Sequence, residues 1–133
     1  ELLDRPVRTP KELAAALAAV RRGDGLLPIE GGGTTLDIGA KMLEAAARAK
    51  ALTMFSSAFW LDHGALASYG TDHRAVGYQA ARLVAKILAG SRPQDVPVEG
   101  ANRIELVINL KVAKAIGISI PPVALLRAER VIE

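Results

Sequence analysis

The stretch GLLPIEGGGTTLDIGAKMLEAAARAKALTMFSS, residues 25–57, decides the fold class. An apolar run (25–30) is followed by a glycine-rich turn, an alanine-rich segment and a second apolar run (51–57). Alanine favours helix, so the segment from about Thr35 to Lys50 is predicted to be helical. Two strands joined by such a helix can pair in parallel, because a parallel pair needs a crossover connection. The stretch therefore predicts a βαβ unit.

One more strand and helix are predicted upstream of this unit. LLDRPV, residues 2–7, has the composition of a short strand. Thr9 and Glu12 match a capping box, and Pro10 suits the first helical position, where no N–H is needed. Successive strand–helix steps predict an α/β fold, with a flavodoxin-like parallel sheet and flanking helices.

The downstream half continues with a strand at 65–69 and a long helix. Thr71 or Asp72 can cap this helix, and Gly90 stands where a helix C-terminus favours a left-handed residue. The apolar positions recur at helical spacing on a single face. They are Val76, Ala80, Leu83, Val84, Ile87 and Leu88.

The last forty or so residues predict one strand and two helices. RIELVINL, 103–110, alternates apolar and polar residues as a strand does. Asn109 can cap a short helix that ends at Gly117, and Pro122 can begin a final helix.

Composition excludes several classes of protein. The 133 residues carry a formal charge of only +3, with basic residues scattered rather than clustered among aromatics, so nucleic-acid binding is not expected. The chain has no cysteine, which rules out disulfides and thiolate metal sites. No apolar stretch is long enough to span a membrane. The chain begins Glu1-Leu2-Leu3, without Met, so we expect a piece of a longer protein.

Candidate ligand contacts follow the predicted strands, because open parallel sheets bind ligands at the carboxyl ends of their strands, next to helix N-termini. Three loops qualify there, and they offer hydroxyls, backbone N–H groups, carboxylates and aromatic faces suited to a small polar ligand. The candidates are Glu30, Gly31, Thr34, Thr35, Ser56, Ser57, Phe59, Tyr69 and Asp72.

Each loop also has a purely structural interpretation. The glycine run 31–33 can be a tight strand-to-helix turn, and it is not a phosphate-binding loop because no Gly-Lys-Ser/Thr follows. Phe59 and Trp60 can be packing residues or ligand walls, and Asp72 can be a plain helix cap.

No residues combine into a catalytic pair or a metal site. Ser56 and Ser57 lack the G-x-S-x-G frame of a nucleophile. His63 and His73 have no matching ligand set. We therefore expect no enzyme activity, no metal and no cofactor.

The C-terminal half resembles a known family. The segments that carry the resemblance are SYG (68–70) followed by an acidic residue, KILAGSRPQDVPVE (86–99) and NLKVAKAIGISIPP (109–122). They are similar to the closing portion of ABC-transporter substrate-binding proteins, in the subfamily related to tryptophan- and tyrosine-binding lipoproteins with the type I periplasmic-binding fold.

This resemblance implies a periplasmic or otherwise extracytoplasmic protein of two lobes, which closes on a small polar solute and delivers it to a membrane permease. An amino acid is the leading solute. Many relatives carry an aspartate in the loop after the second strand, where this chain has EGGGTT with Glu30 as the substitute carboxylate. Gly64 and Gly70 would supply backbone freedom beside a hinge.

It also implies that the first lobe is absent from this chain. Residues 1–63 would form most of the second lobe. Residues 64–133 would hold the final crossing, a helix and the closing strand and helices, some of which return towards the missing lobe. Surfaces meant for that lobe would be exposed, so we expect the isolated chain to self-associate.

Two other functions stay open at this point. The first is an α/β enzyme that binds an anionic substrate at the glycine-rich loop. The second is a ligand-sensing module of similar fold.

Overall fold

Five short strands form one mixed sheet in the computed structural model, which describes residues 2–29 and 36–133. The sheet order follows the chain order, β1-β2-β3-β4-β5. The strands are β1 Gly25–Leu26, β2 Leu52–Phe55, β3 Ala67–Thr71, β4 Ile104–Asn109 and β5 Arg130–Ile132. The α/β class with flanking helices is confirmed.

Five α-helices connect and flank these strands, and their starts lie where local capping chemistry predicts them. Thr9 and Glu12 form the complete capping box, while Asp72 and Asn109 cap the next two helices whose N-caps are described. The helices are α1 Pro10–Ala18, α2 Leu36–Ala49, α3 His73–Leu88, α4 Leu110–Ile116 and α5 Pro122–Arg127, with short 3-10 turns at Ala58–Leu61 and Pro93–Asp95.

The sequence predicted a parallel sheet, and this is wrong for one pair of strands. β3 and β4 run antiparallel, so the sheet is mixed. Their connection leaves β3 into α3 and returns through residues 89–103 to the same end of the sheet. The Asp72 N–H donates to the Arg103 carbonyl at 3.1 Å, which holds the outgoing and incoming segments together. The other three neighbouring pairs, β1–β2, β2–β3 and β4–β5, are parallel.

Two strand predictions need correction, and one strand had not been predicted. Residues 2–7 form no strand and are exposed, because no neighbouring strand offers them a hydrogen-bonding partner. The predicted strand 25–30 is reduced to Gly25–Leu26, since Pro28 has no N–H to donate to a ladder, and residue 30 lies outside the described part of the chain. Strand β5 was not predicted, and it exists because its three residues pair with β4.

Eight of the buried apolar residues form two clusters. One joins α2 to β2 and the 3-10 turn through Leu43, Phe55, Trp60 and Ala65. The other joins β3 to α4 through Leu66, Ala67, Ala113 and Ile116. The sheet therefore gains its packing from helices α2 and α4.

Helix α3 stands apart from both clusters. It has no buried residue, and Val84 and Leu88 on its apolar face are 53% and 83% exposed. Strands from both sides of residue 63 share one sheet, and in the downstream half both α3 and α5 have no buried residue. Within the described ranges, no helix is long and apolar enough to cross a membrane.

Candidate functional site

The carboxyl end of β2 lies beside the middle of β3. Phe55, the last residue of β2, is in register with Ser68, so Ser56 leaves β2 beside Tyr69, whereas β3 continues to Thr71 and stays paired with β4. A side chain at Gly70 would place its Cβ 1.7 Å from the Ser56 carbonyl oxygen. Two of the predicted contact segments therefore meet here, and Gly70 permits the contact because it has no side chain.

Tyr69 is presented to solvent at this junction. Side chains alternate along β3, so buried Ser68 is followed by Tyr69, which is 59% exposed. An exposed aromatic ring beside a strand end can cover an apolar surface while its hydroxyl meets a polar partner. The position suits the predicted role of Tyr69 as a ligand contact.

The 3-10 turn after β2 carries the next candidates. Ser57 caps this turn, its Oγ accepting from the Phe59 N–H at 3.3 Å, while Ser56 is exposed. Phe59 is 48% exposed, and its ring centroid lies 4.4 Å from that of His63. The Nδ1 of His63 lies 3.0 Å from the Phe59 carbonyl oxygen. Ser57 thus has a structural hydrogen bond, and Phe59 offers an accessible ring.

Trp60 differs from its neighbour Phe59. Only 8% of Trp60 is exposed, and its ring stacks on Phe55 with centroids 5.1 Å apart. The sequence left open whether each of these two aromatic residues packs in the core or lines a ligand site. Burial shows that Trp60 packs in the core, whereas Phe59 remains accessible.

Asp72 is occupied by structural contacts. Its Oδ1 accepts from the N–H groups of Arg74 and Ala75 at 2.9 and 3.0 Å, and its Oδ2 lies 3.4 Å from the Arg103 Nε. The Ala75 N–H is the largest cause that lowers the pKa of Asp72, followed by the Arg74 N–H and the charges of Arg103 and Arg74. These contacts favour the helix-cap role, and direct ligand contact by Asp72 stays a prediction.

The glycine-rich loop falls in a part of the chain that the structure does not describe. Glu30, Gly31, Thr34 and Thr35 lie outside the described residues. The backbone of α2 is described from Leu36, and Gly39 in its first turn packs against the ring of Trp60. The start of α2 therefore lies beside the 3-10 turn that carries Ser57 and Phe59.

A second cleft, which the sequence did not indicate, lies between α3 and residues 99–103. It is a cavity of about 520 Å³ lined by Ala75, Tyr78, Gln79, Arg82, Asn102 and Arg103. The Gln79 Nε2 donates to both the Glu99 carboxylate and the Gly100 carbonyl at 2.9 Å. Arg82 also pairs with Glu99.

These donors change the electrostatics of Glu99 and hold α3 to the connector. Hydrogen bonds from Gln79 and then Arg82 are the leading causes that lower the pKa of Glu99. The helical spacing of Gln79 and Arg82 puts both on one face, but no local pattern marks Glu99 as their partner. The cleft therefore depends on contacts between residues far apart in the sequence, and no local motif predicts it.

The part of the chain that the structure describes contains no group of three or more His, Asp or Glu residues that could hold a metal ion. The available chemistry at the β2–β3 junction consists of exposed aromatic rings, hydroxyls and backbone groups. Such a set can bind and orient a small molecule.

Comparison with protein families gives one match that covers most of the chain. The family model described as ABC transporter substrate binding protein matches residues 11–132. No curated protein matches at a comparable level of significance.

Solved structures of longer proteins contain the same arrangement. A conserved domain protein from Vibrio cholerae is 32% identical, with a TM-score of 0.73 over 90% of this chain and 40% of that one. An ABC domain from Streptococcus pneumoniae in complex with L-Trp is 26% identical, with a TM-score of 0.73 over 92% of this chain and 40% of that one.

A third structure shows the likeness of fold alone. It is the ligand-free, open form of a substrate binding protein with adhesive properties from Clostridium difficile, 21% identical with a TM-score of 0.63. It covers 95% of this chain and 42% of that chain. The present chain thus spans about two fifths of the length of each of these three proteins.

Proposed function

Because the chain belongs to the family of ABC transporter substrate binding proteins, we propose that it is part of the solute-binding component of an importer. The family consists of binders rather than enzymes, in agreement with the expectation that the chain is not an enzyme. The observation that carries the proposal is the β2–β3 junction, where Ser56 meets Gly70 and the rings of Phe59 and Tyr69 are exposed. The glycine-rich loop 30–35 and Asp72 are further candidate contacts.

The proposed solute is an amino acid with an aromatic side chain. The chain has only five aromatic residues, and four of them (Phe55, Phe59, Trp60 and Tyr69) fall within residues 55–69. Phe59 and Tyr69 are the accessible members of this group, and aromatic rings gain from stacking with other rings. The L-Trp complex of the neighbour from Streptococcus pneumoniae supports the same solute class.

The mechanism is differential binding between an open and a closed arrangement of two lobes. The solute stabilises the closed form because it contacts both lobes only there, and a permease can then distinguish loaded from empty protein. The exposed apolar face of α3 supports a preceding lobe that covers it. We place the protein outside the cytoplasm, facing its permease, as is typical of the family.

A calorimetric titration of the two-lobed protein with L-tryptophan tests this function. We expect saturable binding, with L-alanine binding at least about tenfold more weakly, a difference of ~1.4 kcal/mol. Phe59→Ala and Tyr69→Ala should each weaken L-tryptophan binding about tenfold, because each removes an accessible ring.

Tyr78→Ala is the matched control. Tyr78 is the fifth aromatic residue and is exposed on α3, away from the β2–β3 junction. The Tyr78→Ala variant should therefore bind L-tryptophan with the affinity of the parent protein. Absence of any heat with L-tryptophan would remove the aromatic amino acid from the proposal, and equal losses in all three variants would remove the junction as the site.

A further inference from the structure

Trp60 fits against a helix at a position that has no side chain. A Cβ on Gly39 would lie 2.1, 2.4 and 2.7 Å from three carbon atoms of the six-membered ring of Trp60. Carbon atoms that are not bonded do not approach this closely, so the ring occupies the space that any other residue at position 39 would fill. The contact joins the first turn of α2 to the 3-10 turn after β2.

The Trp60 ring has a second contact, with the end of β2. Phe55, the last residue of β2, stacks on it at 5.1 Å with the ring planes 29° apart. Leu43, one turn further along α2 from Gly39, belongs to the same buried cluster. The ring thus contacts both the backbone of α2 and the end of β2.

Phe59 contacts the same Trp60 ring. Its ring meets Trp60 edge to face, with centroids 5.2 Å apart and planes at 81°. The Trp60 carbonyl accepts from the N–H groups of His63 and Ala65 at 3.2 and 2.9 Å, which ties the end of the turn to the same residue. A displacement of Trp60 must therefore displace Phe59 and the turn that Ser57 caps.

We propose that Trp60 is a positioning residue for the solute site: its contact with Gly39 sets the place of Phe59 and Ser57 without touching the solute. The inference rests on the proposed function in so far as Phe59 contacts the solute. It adds that affinity depends on the combined volume of the side chains at positions 39 and 60. A fluorescence change of Trp60 on binding would then report a movement of the turn.

A double-mutant cycle tests the coupling. Gly39→Ala should push the ring out of place, and Trp60→Phe should leave a void where the outer ring atoms were. Each single variant should weaken binding of L-tryptophan by about tenfold. The double variant should recover to within about threefold of the parent protein, because the smaller ring makes room for the added methyl group.

Gly77→Ala is the control for a helical glycine. Nothing lies within 4 Å of a Cβ at Gly77 in α3, so this change should leave the affinity unaltered. Denaturant unfolding of every variant separates lost binding from lost folding. Recovery of affinity in the double variant beyond any recovery of the free energy of unfolding supports positioning.

A measurement without solute keeps this inference separate from the proposed function. Amide resonances of residues 56–59 should shift in Gly39→Ala and in Trp60→Phe, and return towards the parent positions in the double variant. The coupling is overturned if the single variants leave these resonances unmoved, or if the double variant is as displaced as the worse single variant. If the resonances behave as expected while L-tryptophan does not bind, the solute assignment alone fails.

Discussion

At Gly70 and Gly39, the neighbouring atoms leave no room for a Cβ atom. Gly70 meets the Ser56 carbonyl, a backbone atom, whereas Gly39 meets the side chain of Trp60. The sequence suggested that Gly70 provides freedom beside a hinge. The structure gives it a different requirement, the close approach of β3 to the Ser56 carbonyl just after β2. Of the two glycines in that prediction, Gly64 has a positive φ, of 100°.

Gly70→Ala should destabilise the fold by about 1–3 kcal/mol, because the backbone of Ser56 cannot move aside without separating β2 from β3. Chemical denaturation measures the loss. Gly25→Ala is the control, since it lies in a strand with nothing within 4 Å of its Cβ, and it should change stability by less than about 0.5 kcal/mol. Equal effects of the two changes would contradict the close-contact explanation.

At the scale of an element, α3 depends on polar contacts at both its N-terminus and its middle. Asp72 caps the helix and lies near Arg103, while Glu99 accepts from Gln79 and Arg82. The helix has no buried residue, so these contacts are its main attachment to the returning connector among the described residues. Local sequence reveals the cap, but the partners of Glu99 appear only in the folded chain.

Acidification should loosen the start of α3. The pKa of Asp72 is lowered in the folded chain, so its carboxylate stabilises the helix above its unfolded pKa, and this contribution is lost as pH falls through the lowered folded value. Amide protection factors of residues 74–76 should therefore decline from neutral pH to about pH 3.

Asp72→Asn tests the cause. Asparagine can still cap the helix but does not titrate in this range, so protection at residues 74–76 should lose most of its pH dependence. Glu99→Gln serves as the control, because it changes the middle of α3 while the titrating cap remains. An unchanged pH profile in Asp72→Asn would exclude Asp72 as the titrating group.

At the scale of the whole molecule, we expect the exposed apolar face of α3 to determine how the isolated chain behaves in solution. The face carries Val84, Ile87 and Leu88, all exposed, and contiguous apolar surface of this kind promotes association. We expect the scattering mass of the 133-residue chain to rise with concentration.

Ile87→Glu should reduce this association, because it places a charge in the apolar face. Ala85→Glu adds the same charge about 160° around the helix from Ile87 and should have a smaller effect. A monomeric mass at all concentrations, or equal effects of the two substitutions, would show that α3 does not mediate association. In the two-lobed protein, we expect the scattering masses of both variants to differ less from that of the parent protein, since the preceding lobe would cover the face.

The sequence by itself determined those features that depend on residues within a few positions of one another. The capping box at Thr9 and Glu12, the caps Asp72 and Asn109, the left-handed Gly90 after α3 and the apolar stripe of α3 are of this kind. Helix starts and ends use local hydrogen bonds, so their residues can be identified without knowing the rest of the fold.

Tertiary structure decided the features that need a distant partner. Residues 2–7 have the composition of a strand but no neighbour to pair with, whereas Arg130–Ile132 pair with β4 and become a strand. Phe59 and Trp60 are adjacent and chemically alike, yet the gap above Gly39 admits Trp60 and leaves Phe59 accessible. Strand pairing and burial depend on what the chain brings together over long separations, and for that reason the form of the candidate site emerged only from the fold.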